Sequence, residues 1–164
     1  MSRPPPEAVA VALGALALAL VLGALGFQYF ARLPPCEMCH WQRWPHIAAA
    51  VVGLGGGLAI WGGLLDRRYA APLAILTALL VAVSGAIAVY HAGVEWHWWR
   101  GPSACTGRAF KLNGGPLDLN APVVMCDHAA WRLFGLSLAG YNALISLGTA
   151  VLGLALVLRT EKSA

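Results

Sequence analysis

Four long runs of this sequence contain no Asp, Glu, Lys or Arg, and they constrain the fold more than any other feature. They cover residues 8–31, 44–65, 69–94 and 133–158. Each run is long enough to cross a hydrocarbon core of about 30 Å as a helix rising about 1.5 Å per residue. Inside a bilayer the backbone must satisfy its own hydrogen bonds, and a helix does so within one segment. The sequence therefore predicts an all-α membrane protein, a bundle of four transmembrane helices.

The composition also indicates that a lipid bilayer surrounds much of the chain. Only 11% of the 164 residues are charged, whereas a soluble domain carries about 25%. The first run is longer than the apolar core of a signal peptide, about 7–15 residues, so we expect it to be retained. The net charge of +4 is spread along the chain without a basic stripe, which argues against nucleic-acid binding. We expect one membrane domain over residues 1–164, with helices at about 8–30, 45–65, 70–91 and 133–158.

The connections between these helices contain all the cysteines of the chain: Cys36, Cys39, Cys105 and Cys126. The first connection, about residues 31–44, holds a C-x-x-C pair, and the third, about residues 92–132, holds the other two. In a four-helix bundle the first and third connections lie on the same side of the membrane, whichever way the chain inserts. Pro116, Pro122 and other breakers in the third connection predict irregular structure there.

The orientation of the chain depends on its basic residues. The cysteine side carries six Lys and Arg and the opposite side five, so the count alone does not decide. The short second connection places Arg67 and Arg68 directly beside two helix ends, and this density favours the cytoplasm. The cysteines would then face the periplasm or its equivalent, an oxidising compartment in which disulfides persist.

Aromatic residues and histidines are concentrated on the cysteine side, with six of the seven tryptophans and all five histidines. An interfacial aromatic belt explains tryptophans, but a belt is expected at both faces of a membrane. A flat aromatic ligand or a protein partner at this interface would account for the bias. We assign four of the histidines to the interface or the loops: His40, His46, His97 and His128.

The stretch CEMCH, residues 36–40, fits two different redox sites. C-x-x-C-H is the attachment motif of c-type haem, whereas C-x-x-C alone is a dithiol centre. In a haem protein His40 would be the proximal ligand, but Cys105 and Cys126 would have no role. Twenty residues separate those two cysteines, which is not the paired spacing of a zinc site, so we expect no metal. A third alternative is a non-catalytic membrane module whose loops are held by disulfides.

The surroundings of the C-x-x-C pair favour a reactive dithiol. The second helix begins just beyond it, and the partial positive charge of a helix N-terminus favours thiolate over thiol. Arg43 follows Cys39 by four residues, so both project from one face of a helical turn. Its guanidinium would stabilise a thiolate or an anionic reduced ligand, the alternative being a side chain that merely reaches the interface. Pro45 suits the first turn of a helix, and residues 36–43 would then form a separate turn.

The whole constellation resembles the DsbB family of disulfide-bond formation proteins. The resemblance covers essentially the full chain and includes the four helices, the C-x-x-C motif followed by Gln42-Arg43, and a cysteine pair before the last helix. The segments YHAGVEWHWWRGPSAC, residues 90–105, and CDHAAWRLFGLSLAGYNALIS, residues 126–146, are also similar to that family. A DsbA–DsbB–quinone system keeps the bacterial periplasm oxidising. The resemblance therefore implies a thiol:quinone oxidoreductase of the bacterial inner membrane, with its active site facing the periplasm.

The resemblance further implies a relay through two redox disulfides, Cys36–Cys39 and Cys105–Cys126. The partner would be a periplasmic, thioredoxin-fold oxidase of the DsbA type, which attacks the Cys105–Cys126 disulfide and joins to Cys105. Cys126 would then exchange with Cys36 and free Cys39.

The electron acceptor implied by the resemblance is a membrane quinone, either ubiquinone or menaquinone. Cys39 would attack it, and Arg43 would stabilise the negative charge that develops. His91 is a further candidate for quinone binding, and Glu95 is a weaker one.

Overall fold

The computed structural model describes residues 4–106 and 124–161, and in these ranges the chain is mostly helical. Four helical segments are long and apolar enough to cross a membrane. They are α1 (Pro6–Tyr29), a composite second segment (Glu37–Trp61), α4 (Ala70–Glu95) and α5 (Leu138–Glu161). The second segment consists of α2 (Glu37–Ala50), a π-helical turn (Val51–Gly56) and α3 (Gly57–Trp61). The predicted four-helix membrane fold is confirmed.

The second segment begins eight residues earlier than the predicted range of 45–65, because α2 already starts at Glu37. Residues 36–43 are therefore not a separate turn, and Pro45 lies inside the helix. The sulfur of Cys36 caps the helix by accepting a hydrogen bond from the Cys39 backbone N–H, at 3.2 Å. A buried stripe of side chains four residues apart holds the turn against the bundle: Met38, Gln42 and His46. Packing of this stripe against other helices allows a proline that an isolated helix would not tolerate.

The other helix ends also differ from the predicted ones. The second segment stops at Trp61, before Gly63 with its positive φ of 72°, a conformation that glycine adopts readily. Helix α4 continues past the predicted residue 91 to Glu95. The short second connection is completed by a 3₁₀ turn at Arg67–Tyr69.

A tight hairpin precedes the last helix, which was predicted to start at residue 133 but begins at Leu138. Strand β1 (Arg132–Leu133) pairs antiparallel with β2 (Leu136–Ser137). The two residues between them, Phe134 and Gly135, both have positive φ, 48° and 83°, as the favoured two-residue hairpin turn requires.

Glycines bring α1 into direct contact with the π-helical turn. A Cβ at Gly53 would lie 2.5 Å from the carbonyl oxygen of Ala10, and one at Gly14 would lie 2.7 Å from the backbone nitrogen of Leu54. Any larger residue would push these backbones apart, which is the usual role of small residues between membrane helices. This contact fixes the position of α1 against the second segment. It therefore also influences the space between the two at the cysteine end.

The two ends of the bundle have different chemistry. At one end Arg67 donates a 2.8 Å hydrogen bond to the carboxylate of Glu7, which is only 3% exposed. At the other end Cys36 lies in one buried cluster with Cys105 and Cys126. Residues 107–123, including Pro116 and Pro122 of the predicted irregular loop, are outside the described ranges.

Candidate active site at the cysteine end

Cys36 and Cys39 lie side by side at the N-terminus of α2, as free cysteines whose sulfur atoms are 2.8 Å apart. The hydrogen bond with Cys39, together with burial, raises the pKa of the Cys36 thiol above its ordinary value. The two sulfurs share one hydrogen bond, in which either can be the donor. The two sulfurs are unequally placed, since Cys36 is buried and Cys39 is partly exposed.

The other two cysteines form a disulfide, Cys105–Cys126. The backbone also joins them, since the N–H of Cys126 donates to the carbonyl oxygen of Cys105 at 2.6 Å. Their cluster with Cys36 places the disulfide against the C-x-x-C pair. The structure thus brings both pairs together and contains one of the two expected disulfides, while Cys36 and Cys39 are unbonded. The redox roles of the four cysteines stay predictions.

A cleft of about 250 Å³ opens beside the C-x-x-C pair. Residues of α1, α2 and α5 form most of its wall, and the side chains are predominantly apolar. Polar groups also converge on it, among them Cys39, Gln42, Arg43, His46, His91, Glu95, His128 and Asn142. An apolar cavity with a small number of placed polar groups is the usual form of a site for a small organic molecule.

Arg43 is held on the cleft wall by helix α1. Its guanidinium donates to the side-chain oxygen of Gln28 at 2.7 Å and to the backbone carbonyl of Ala24 at 3.5 Å. Cys39, one turn earlier on the same helix, lines the same cleft. The cationic group and the sulfur therefore face one space, as the four-residue spacing predicts.

His91 and Glu95 lie behind the C-x-x-C pair, one turn apart on α4, and both are buried. The Nε2 atom of His91 is 3.6 Å from the Cys36 sulfur and 3.7 Å from a carboxylate oxygen of Glu95. Its Nδ1 is 2.8 Å from the side-chain nitrogen of Gln42. Both candidates from the sequence are thus at the site, and they are brought there because α4 continues to residue 95.

The assignment of His46 to the interface or a loop is wrong. It lies in α2, is 3% exposed, and its Nε2 is 2.9 Å from the side-chain oxygen of Asn142 on α5. Asn142 in turn donates to the side-chain oxygen of Gln42 at 2.8 Å. The helical spacing of Gln42 and His46, and of Asn142 and Ser146, was the signal available in the sequence. Single polar residues repeating every four positions along apolar helices predict a buried polar face.

The two cysteine sulfurs and a ring nitrogen of His91 lie within 4.8 Å of one another, a spacing that would suit a soft cation. The hydrogen bonds of His91 are not those of a metal ligand. Gln42 donates through its Nε2 to the Met38 carbonyl at 3.2 Å and, through the same nitrogen, to His91 Nδ1. The proton of neutral His91 is therefore on Nε2. A metal ion between the cysteines would need Nε2 as a ligand, and a ligand nitrogen must carry no proton.

Comparison with known proteins identifies the family to which this arrangement belongs. Residues 6–156 match the family described as "Disulfide bond formation protein DsbB". The chain belongs to the DsbB family. Disulfide bond formation protein B of Polaromonas sp. (strain JS666 / ATCC BAA-500) is 30% identical over 96% of this chain and 94% of its own length. The protein of that name from Azoarcus sp. (strain BH72) is 29% identical over 87% and 86%.

A match to a different kind of protein covers less of the chain. A probable 4-amino-4-deoxy-L-arabinose-phosphoundecaprenol flippase subunit ArnE from Aeromonas salmonicida (strain A449) is 34% identical over 49% of this chain. No solved structure matches. As a DsbB-family member, the protein is a multi-pass membrane protein of disulfide bond formation, with a disulfide oxidoreductase role. The c-type haem alternative gains nothing from these comparisons, and its ligand His40 is exposed whereas Cys36 is buried.

Proposed function

We propose that this DsbB-family protein reoxidises a DsbA-type dithiol oxidase of the periplasm and passes the electrons to a quinone of the inner membrane. The overall reaction converts the partner's two thiols and one quinone into the partner's disulfide and one quinol. Two electrons and two protons move in each cycle. Thiol–disulfide exchange alone only moves disulfides between proteins, so a terminal acceptor is needed for net oxidation.

The observation that carries the proposal is a continuous path from a disulfide to the cleft. The Cys105–Cys126 disulfide packs against Cys36, the sulfur of Cys36 is 2.8 Å from that of Cys39, and Cys39 lines the cleft. Each exchange in such a path needs sulfurs that can come into contact, and Cys39 packs against the buried cluster that holds the other three cysteines.

The relay balances in four exchanges and one oxidation. A partner thiolate attacks Cys105 and releases Cys126, which attacks Cys36 in the oxidised Cys36–Cys39 pair and releases Cys39. The partner's second thiol then attacks the mixed disulfide, so that the partner leaves with its own disulfide and Cys105 becomes a thiol. Cys105 attacks Cys126, restoring that disulfide and freeing Cys36, so that Cys36 and Cys39 hold both electrons. This is the pairing that the structure has.

The cleft residues suit a quinone ring. The quinone supplies the two-electron acceptor, and its apolar ring matches the apolar walls. Cys39 lines the cleft, and Arg43 offers a fixed cation for the negative charge that develops on a ring oxygen. Cys36 supplies the second thiol and its proton, and the Cys36–Cys39 disulfide closes as the electrons leave.

Two serine variants test the proposal with two electron donors. Cys39→Ser should lose quinone reduction with both a reduced DsbA-type partner and a small dithiol. Cys105→Ser should lose turnover with the protein partner but keep part of the quinone reduction driven by the small dithiol. Quinone absorbance, followed with purified protein in both cases, gives the rates. Identical failure of the two variants with both donors would contradict the relay, and the absence of quinone reduction by the wild type would contradict the proposed function.

A further inference from the structure

The polar side chains between α2, α4 and α5 form a hydrogen-bonded chain whose direction is set by one backbone carbonyl. The carbonyl of Met38 can only accept, so the Gln42 atom 3.2 Å from it is the amide nitrogen. The other Gln42 atom, its oxygen, is therefore the one that faces Asn142 at 2.8 Å. An oxygen can only accept here, and so Asn142 presents its nitrogen to Gln42.

A second carbonyl leads to the same orientation of Asn142. The hydroxyl of Ser84 donates its only proton to the backbone carbonyl of Gln42 at 2.8 Å. Ser84 can then only accept from Asn142, whose nitrogen is 3.4 Å away. Two independent anchors thus turn the oxygen of Asn142 towards His46 and Ser146, at 2.9 Å and 2.8 Å.

This orientation determines the tautomer of His46. Its Nε2 faces an oxygen and must carry the proton, so Nδ1 of the neutral ring is an acceptor. Among the described residues Nδ1 is buried and has no hydrogen-bond partner. A charged ring would add a buried, unpaired N–H beside partners, Asn142 and Ser146, that are both uncharged, and this is unfavourable. His46 therefore carries an unpaired acceptor, itself buried, on a side chain that lines the cleft.

We propose that Nδ1 of His46 accepts a hydrogen bond from a ring hydroxyl of the bound quinol, the hydroxyl remote from Cys39. The inference rests on the proposed function and assigns a second polar subsite to the same cleft. His46 follows Arg43 by three residues, and both side chains line the same cleft. A quinone has two carbonyl acceptors and no donor, so only the reduced ring can satisfy His46.

The subsite consequently favours the product over the substrate. Tighter binding of the quinol makes the bound quinone a stronger oxidant, because the free-energy difference between the two bound forms shifts towards the reduced one. The atoms balance without His46 changing its own protonation: two thiols and two ring carbonyls become one disulfide and two ring hydroxyls. Asn142 acts as a positioning residue, since it keeps the proton of His46 on Nε2.

Equilibrium binding in a variant without turnover tests this subsite. In a Cys39→Ser background, a short-tailed benzoquinone and its hydroquinone are titrated separately against purified protein. Replacing His46 by Leu should raise the Kd of the hydroquinone about threefold to tenfold, the loss expected for one neutral hydrogen bond, and should change the Kd of the benzoquinone less than twofold. His40→Leu, an exposed histidine on the same helix outside the cleft, is the matched control and should change neither.

His46→Gln keeps the experiment decisive if the leucine variant folds poorly. Its amide can donate to Asn142 and still offer an oxygen, so it should preserve most of the preference for hydroquinone. Equal loss of both ligands in His46→Leu, or loss of benzoquinone alone, would overturn the proposed subsite. Binding of both ligands by a wild-type protein that shows no turnover would instead contradict only the proposed function.

Discussion

At the scale of single residues, Arg43 has two tasks, one in holding two helices together and one at the cleft. It joins α2 to α1 through Gln28 and the carbonyl of Ala24, and it faces the cleft together with Cys39. An ionisable group among membrane helices is costly unless it has partners. Its hydrogen bonds to α1 provide these partners and also hold the planar guanidinium in one orientation.

Lysine at position 43 separates these tasks, because it keeps the charge but loses the planar fork with several donors. Arg43→Lys should raise the KM for quinone while the protein still inserts. Arg43→Ala should lose about 1.5–3 kcal/mol if a charge-assisted hydrogen bond is removed, which is about tenfold to a hundredfold in kcat/KM. Arg100→Lys, an exposed arginine of the third connection, is the control. Unchanged quinone dependence in Arg43→Lys would make Arg43 a structural anchor only.

At the scale of elements, the second segment is unusual in containing a proline, a π-helical turn and several glycines. Pro45 lies within α2, and the π-helical turn Val51–Gly56 follows directly. The backbone in this region is held from outside, by the contact of Gly53 with Ala10 and Gly14 of α1. The same helix carries the redox pair at its N-terminus, so packing at its middle sets where Cys39 and Arg43 lie relative to α1.

Two glycines of the π-helical turn allow a matched test of this packing. A Cβ at Gly53 would lie 2.5 Å from the Ala10 oxygen, whereas one at Gly55 would meet none of the described residues within 4 Å. Gly53→Ala should destabilise the protein by about 1–3 kcal/mol, as overpacking does. Gly55→Ala should be neutral or slightly stabilising, since alanine is the better helix former. Thermal unfolding in detergent compares the two, and equal melting temperatures would contradict the close contact.

At the scale of the whole molecule, the short Arg67–Arg68 connection and the cysteines lie at opposite ends of the bundle. Arg67 and Arg68 lie in the short second connection, and Arg67 pairs with the buried Glu7 at the start of α1. The disulfide Cys105–Cys126 and the C-x-x-C pair are at the opposite end. Basic residues in a short loop favour the cytoplasm, so we expect the cysteine end to face the periplasm.

Single cysteines introduced into a cysteine-free variant test this orientation. Ser103 is exposed at the cysteine end, and Arg68 is exposed in the second connection. A membrane-impermeant thiol reagent should label Ser103→Cys in intact cells whose outer membrane is permeable. Arg68→Cys should be labelled only after the inner membrane is opened. The reverse pattern would refute the orientation.

The sequence by itself determined the four helices, the shared side of the cysteines and the Cys39–Arg43 pair. These depend on local properties, namely charge-free length, the alternation of sides along a chain and one helical turn. Only the tertiary structure decided that Pro45 lies inside a helix and that His46 meets Asn142, because long-range packing compensates local preferences there. Residues 46 and 142 are 96 positions apart, and no local pattern encodes which faces of two helices will touch.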